Sequence, residues 1–528
     1  PGERALARHA ERAPQPAASP ASAAALRALA AAAALVGLAT AGCRAPADEV
    51  ATSVAAQPSA SPSAPVVSQQ AFFGDLHVHS RWSFDAYSMG VRVGPEDAYR
   101  YARGEAIPHI GGGTVQLGGP PLDFMALTEH GAYMGVSATV DDPSHPMRKL
   151  PLIRDLTSTD PATRGRAIGD FLSSLGSGDA IEALTGDEFV KPTWQRIVEL
   201  ADRNDAPGEF TAFVAYEYTT MPKGQNLHRN VIFRGSRVPE RPFSSLDSQN
   251  PEDLWDWLDR ARASGDDAIA IPHNANASNG LMYASAMTDG APFDAAYADQ
   301  RMRNEPVSEV YQIKGQSETH PTLSPGDPWA GFEIMDRVLG DPNQASRPDG
   351  SYVRKALLDG IAMQERDGFN PYEIGMLGAS DGHNAAGPFV EDEYFGKLGF
   401  VDGTPEARIG AVNPLLPQAQ ETTGTNFALT WGSGALAGIW APENTRAALF
   451  DAMRRRETFA TSGPRIRVRF FGGFDLDPAL ALDGDRIARA YAAGVPMGGE
   501  LVASETGGEL VASAAAPAVP RFLALALQ

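Results

Sequence analysis

A chain of 528 residues with 43% hydrophobic side chains and a mean hydropathy of -0.23 has the length for two domains with sizeable cores. Its net charge of -21 argues against nucleic acid as the main partner, because phosphate backbones are gripped largely by Lys and Arg. The single cysteine, Cys43, excludes an intrachain disulfide.

Residues 1–43 read as an extension followed by a targeting segment. The chain opens on Pro1 rather than Met, and residues before about Ala24 read as lying upstream of the signal. In "LRALAAAAALVGLATAGC", Arg27 precedes an Ala-rich apolar run too short for a membrane span, and small residues then lead to Cys43. This resembles a bacterial lipoprotein processing site, which implies lipidation at Cys43. The expectation is an exported, lipid-anchored protein facing the periplasm or the cell surface, touching the membrane only through its anchor. Residues 44–70, rich in Ala, Pro and Ser, read as a disordered tether.

The next segment, "GDLHVHSRWSFDA", carries the strongest chemical signal. Alternate side chains of a strand share a face, so His77 and His79 can point at one centre while Val78 packs elsewhere. Asp85 adds a carboxylate, and Asp75 is expected to orient an imidazole by accepting its other N–H. Further on, "LDFMALTEHG" ends with Glu129 and His130, and "FTAFVAYEYTT" ends with Glu217. "NLHRNVIFRG" opens its run with His228, "DAIAIPHNAN" closes with His273, and "IGMLGASDGH" closes with Asp381 and His383. Six of the ten histidines thus stand beside candidate strand ends; His9, His109, His145 and His320 do not. Short apolar strands separated by helical stretches predict a parallel sheet with its site at one rim, as in α/β barrels. His228, which precedes its strand, is assigned to a loop folded back over that rim.

An insertion of about residues 137–210 interrupts this series. It has helical spacing in "GRAIGDFLSSL" and in "KPTWQRIVELADR", where Pro192 suits a helix start. Such an excursion either shapes the pocket or packs structurally. Arg229, Lys314, Glu318 and Arg465 are candidate substrate contacts, of which an Arg or Lys can hold a phosphoryl oxygen. "PENTRAALFDAMRRRE" predicts a helix whose Arg454 to Arg456 complement the helix dipole. Residues 466–528, with "IRVRFFGG" and "GVPMGGEL", predict a β-rich appendix, and "PRFLALALQ" reads as a strand at a truncated end. No Walker-type loop occurs in the sequence.

In this order the candidate ligands resemble the PHP (polymerase and histidinol phosphatase) superfamily of metal-dependent phosphoesterases, over roughly Ala71 to Gly387. The resemblance implies an α/β fold, a distorted seven-stranded β/α barrel occupying residues 71–465, with two or three divalent ions: manganese, zinc or iron. By that likeness His77, His79, Glu217 and Asp381 hold the first ion, and Glu217 bridges to a second on His228 and His273. Asp85, His130 and His383 hold the third. Phrases such as "VYQIKGQSE" and "LGASDGHN" are similar to a narrower group of exported bacterial PHP-like proteins with no agreed activity. The implied function is hydrolysis of a small phosphate mono- or diester by a metal-bound hydroxide. In that reading Glu217 and Asp381 are the catalytic carboxylates, and His130 or another rim residue protonates the leaving alkoxide. Two alternatives stay open on the sequence: a metal-dependent hydrolase of a non-phosphate ester or amide bond, and a noncatalytic metal-binding lipoprotein.

Overall fold

The computed structural model describes residues 69–409 apart from 141, 143 and 159, and then residues 427–474, 476–501 and 519–527. The targeting segment, Cys43 and the tether up to residue 68 lie outside the described residues. Among those described, no helix is long and apolar enough to cross a membrane.

Strand β1 (Gln70–Val78) is buried from Phe73 onward and organises the main sheet. β2 (Phe124–Leu127) pairs with it in parallel, and β3 (Thr211–Phe213) continues in parallel beyond β2. A meander follows: β4 (Ala215–Tyr218), β5 (Arg229–Phe233) and β6 (Ala268–Pro272), paired antiparallel. β7 (Val307–Gln312) pairs in parallel with β8 (Gly375–Gly378). The chain then returns to the other edge of β1 as β9 (Leu436–Ala441), antiparallel, with β10 (Thr458–Thr461) antiparallel beyond it.

The fold is therefore mixed α/β in several small sheets. The all-parallel expectation is corrected: only the β1–β2–β3 and β7–β8 ladders are parallel. Isolated parallel bridges, Val78 with Gly382 and His130 with Glu217, link neighbouring strand ends, and no closed barrel ladder forms among the described residues.

The core divides into two layers, and the register of β1 against β2 shifts between Asp75 and Val78. Leu76 packs with Phe213, Ile232, Ile269, Ile271, Val307 and Leu377 beneath Leu449, Phe450 and Met453 of helix Arg446–Arg454. Val78 joins the opposite layer with Leu127, Tyr216 and Val231 against Trp194 and Ile197 of helix Asp187–Asn204. Each fully buried aliphatic or aromatic side chain contributes about 2 kcal/mol relative to exposure. These layers hold the strand ends in place.

The insertion is helical as its spacing predicts, with helices Pro151–Leu156, Pro161–Ser177 and Asp187–Asn204. Pro192, expected at a helix start, sits inside the last of these. Its missing N–H removes only the bond to the Glu188 carbonyl, and the buried face of Val190, Trp194, Ile197 and Leu200 carries the helix through. At the C-terminal end, β11 (Arg467–Gly473), β12 (Val495–Pro496) and β13 (Arg521–Leu527) make a separate three-stranded sheet, as the alternation of "IRVRFFGG" predicts.

Candidate metal centre

The topology brings the strand ends to one rim. β1 delivers His77 and His79, β2 leads to His130, and β4 carries Glu217. Because β5 runs antiparallel between β4 and β6, its beginning lies beside their ends, so His228 falls at the same rim as Glu217 and His273. No folded-back loop is needed. The segment after β8 is stitched along β1: Asp381 N–H donates to the His77 carbonyl (2.8 Å), His79 N–H to the Gly382 carbonyl (2.8 Å) and Ala385 N–H to the His79 carbonyl (2.9 Å). Asp381 takes a left-handed backbone with φ 56°, a conformation that a non-glycine residue holds only where the surroundings enforce it. Gly382 next to it has no room for a Cβ against the Ala386 carbonyl.

Glu217 sits at the centre. Its Oε1 lies 2.7 Å from His228 Nδ1 and 3.0 Å from His273 Nε2; its Oε2 lies 2.7 Å from His130 Nδ1 and 3.3 Å from His79 Nε2. Asp381 Oδ1 is 3.3 Å from His77 Nε2, 3.6 Å from His79 Nε2 and 3.2 Å from His383 Nδ1. Asp85 joins the remaining pair, with Oδ1 3.1 Å from His130 Nε2 and Oδ2 2.8 Å from His383 Nε2. Every ligand expected from the sequence thus reaches one contiguous cluster.

The surrounding side chains fix ring orientations. His77 Nδ1 lies 2.9 Å from Glu309 Oε2, and His79 Nδ1 lies 2.8 Å from Ser83 Oγ, whose hydroxyl donates onward to Glu129 (2.5 Å). Asp75 plays a different part from the one expected. Its carboxylate accepts from Ser380 Oγ (2.5 Å), Ser380 N–H (3.0 Å) and His77 N–H (3.1 Å), so it fastens the Asp381 loop to β1 and touches no imidazole. The reason is tertiary: Ser380 and the His77 N–H occupy the Asp75 carboxylate, and the partner of His77 comes from β7.

Electrostatics follow burial and proximity. Burial pushes His77 down to about 3 and His228 down to about 4, with neighbouring carboxylates acting the other way, so both imidazoles are neutral. Burial would raise Glu217, but His130 and His228 hold it well below the usual carboxylate range. Burial would lower His130, yet Asp85 and Glu217 raise it to about 10. Glu309 is pushed up to about 8, chiefly by burial.

Two residues at the centre were not singled out from the sequence. Glu309 lies in the run "PVSEVYQ", where a buried carboxylate is costly unless paired, and that cost was the available signal. Lys397 lies in a polar loop with no motif; its Nζ is 3.1 Å from Asp381 Oδ1 and 2.6 Å from His383 Nδ1. Burial pushes it down to about 8 despite Asp381.

The expected substrate contacts divide. Lys314 reaches the cluster and donates to Asp381 Oδ2. Arg229 does not: its Nε donates to Glu305 Oε1 (2.8 Å), which also accepts from Trp255 Nε1 (2.8 Å), and its place on β5 turns it opposite to Asn230. Arg465 lies over the Phe73 ring, near the beginning of β1 rather than its end, and donates to the carbonyls of Pro120 and Pro121. Glu318 pairs with Arg354 at the surface.

The cluster suits cations. Nε2 of His77, His79 and His228 and Nδ1 of His273 are buried without a hydrogen bond, which is costly unless a cation takes the lone pair. Donor atoms within 4.8 Å of one another group as His77, His79 and Glu217; as Glu217, His228 and His273; as His79, His130 and His383; and as His77, His273 and Glu309. The second set is the one implied by the PHP resemblance, and the first is that implied for the first ion without Asp381. The third differs by holding His79 rather than Asp85, and the fourth brings in Glu309.

Fold and site together define a mixed α/β protein whose strand ends gather a buried histidine–carboxylate cluster able to hold divalent ions. Residues 66–523 match the family described as "Protein of unknown function (DUF3604)", and the chain belongs to that family. No curated protein and no solved structure matches it.

Proposed function

We propose that this chain is a metal-dependent phosphoesterase of the PHP type, acting on a small phosphate mono- or diester. The observation that supports this most is the convergence of His77, His79, Asp85, His130, Glu217, His228, His273, Asp381 and His383 on one buried cluster, with imidazole nitrogens left unbonded. Two or three divalent ions of manganese, zinc or iron would supply activation of water at neutral pH and neutralise charge on phosphoryl oxygens. Glu217 is the residue placed to be shared between neighbouring ions, because both of its oxygens face imidazoles from different strands. Asp381, on its constrained backbone, closes the site from the β8 side. His130, kept protonated between Asp85 and Glu217, is placed to give a proton to a leaving alkoxide when no ion occupies that pair.

Under this reading the separate ladders are arcs of a distorted seven-stranded β/α barrel, interrupted where β5 reverses direction. Phe84 stands between Phe171 of the insertion (4.6 Å between ring centroids) and His130 (4.8 Å), so the inserted helices wall the Asp85 side of the site. The same proposal has the chain exported and lipidated at Cys43, on the sequence pattern alone.

The test is turnover of aryl phosphate monoesters and diesters by protein reconstituted with manganese, zinc or iron, beside an Asp381→Asn control. Metal-dependent turnover that vanishes in the control is expected. Silence with every metal, at a measured content of two or three ions, would remove the phosphoesterase reading.

A further inference from the structure

Two lysines from unrelated elements are buried at one carboxylate. Lys314 comes from the turn after β7 and donates to Asp381 Oδ2, which also accepts from Gln312 Nε2 (2.9 Å). Lys397 comes from the loop beyond His383 and approaches Asp381 Oδ1. The two residues are only 8% and 2% exposed. Desolvating an ammonium is expensive, and one carboxylate balances one ammonium. The other acids nearby are committed elsewhere: Glu217 and Asp85 face imidazoles, and Glu309 faces His77. Asp402, the remaining acid beside Lys397, spends its oxygens on the backbone N–H groups of Lys397 (2.8 Å) and Leu398 (2.8 Å) and on Tyr394 Oη (2.7 Å), not on the ammonium.

Those contacts present the Lys397 side chain. The His383 N–H donates to the Lys397 carbonyl (2.9 Å) and Asn384 Nδ2 to the Gly396 carbonyl (3.1 Å), while Gly396 supplies a φ of 101° that a side chain would resist. The loop is thus pinned on both sides of Lys397, and the ammonium is aimed into the cluster. With divalent ions in place, Asp85, Glu217 and Asp381 would be drawn on to neutralise them, and the two ammoniums would add to a surplus of positive charge. A neutral ester or amide leaves that surplus unbalanced; a tetrahedral oxyanion does not.

We infer that Lys397, with Lys314 beside it, is the oxyanion-holding residue of this site, and that the substrate is a phosphoryl or sulfuryl compound rather than a neutral ester or amide. This rests on reading the cluster as a metal centre, but not on turnover.

The experiment is calorimetric titration of inorganic phosphate, and separately of sulfate, into metal-reconstituted wild type, Lys397→Met and Lys397→Arg, with metal content assayed on the same samples. Expected is a loss of affinity of about tenfold or more in Lys397→Met at unchanged metal content, with most of it restored in Lys397→Arg. The stronger-binding anion in wild type assigns phosphoryl or sulfuryl chemistry. Affinity within twofold of wild type in Lys397→Met overturns the inference, as does a wild type that binds neither anion. So does loss of metal in Lys397→Met, since that would make the lysine a positioning group for Asp381. Should Lys397→Met not fold, Lys397→Gln carries the same comparison. Protein that binds phosphate through Lys397 yet hydrolyses no phosphoester retains this inference and removes the phosphoesterase one.

Discussion

Nδ1 of His77 lies 2.9 Å from Oε2 of Glu309, a carboxylate 232 positions further along the chain. The contact leaves Nε2 of His77 facing Asp381 and sets the ring angle from behind. Carboxylates placed behind ligating imidazoles orient the ring and raise its basicity.

Replacing the Glu309 carboxyl group by an amide keeps the shape and removes the ionisable group. Glu309→Gln is expected to weaken metal binding by about 10–100-fold with the fold intact. Competition with a chromophoric chelator would measure it, and an unchanged affinity would leave Glu309 a mere packing partner.

The same residue predicts a pH dependence of the metal-free protein. Glu309 has a folded pKa raised from 4.5 to about 8, so its stabilising contribution is complete below the unfolded value and is lost as pH rises through the folded one. Between pH 6.5 and 8, wild type should lose about 2 kcal/mol that Glu309→Gln does not lose. Denaturant titrations across this window test the difference; parallel curves would contradict it.

His130 predicts proton release on metal loading. It is held protonated, at about 10, by Asp85 and Glu217. An ion taken up by its ring must displace that proton, so loading at pH 7 should release about one proton from this residue. Calorimetry of metal binding in buffers of different ionisation enthalpy counts the protons, and the count should fall by one in His130→Gln. An equal count in both proteins would place His130 outside the ligand set.

Arg229 and Glu305 form a buried pair, each no more than 2% exposed. Arg301 also lies 3.4 Å from Glu305, so Arg229→Met removes the nearer of its two cations and should cost about 3 kcal/mol of stability while metal content stays at the wild-type level. Loss of metal without loss of stability would return Arg229 to the site.

The candidate ligands were legible in the chain because strand alternation and strand-end placement are local properties. His77 and His79 share a face by the period of a strand, and His130, Glu217, His273 and Asp381 each end an apolar run. Helical spacing in the insertion and alternation in "IRVRFFGG" were legible for the same reason.

Strand direction was not, since parallel and antiparallel strands share one apolar pattern and differ only in how their hydrogen bonds register. It took the antiparallel β5 to place His228 at the rim.

Composition and periodicity by themselves determined which residues are candidate metal ligands and which segments are helix or strand, because burial preference and side-chain period act within a few residues. Only the tertiary structure decided that Glu309 stands behind His77, that Asp75 holds Ser380, that Arg229 serves Glu305, and that Lys397 reaches Asp381. The reason is physical: a buried charge is stabilised by whichever opposite charge the packing brings within a few ångströms, and sequence separation carries no information about that distance.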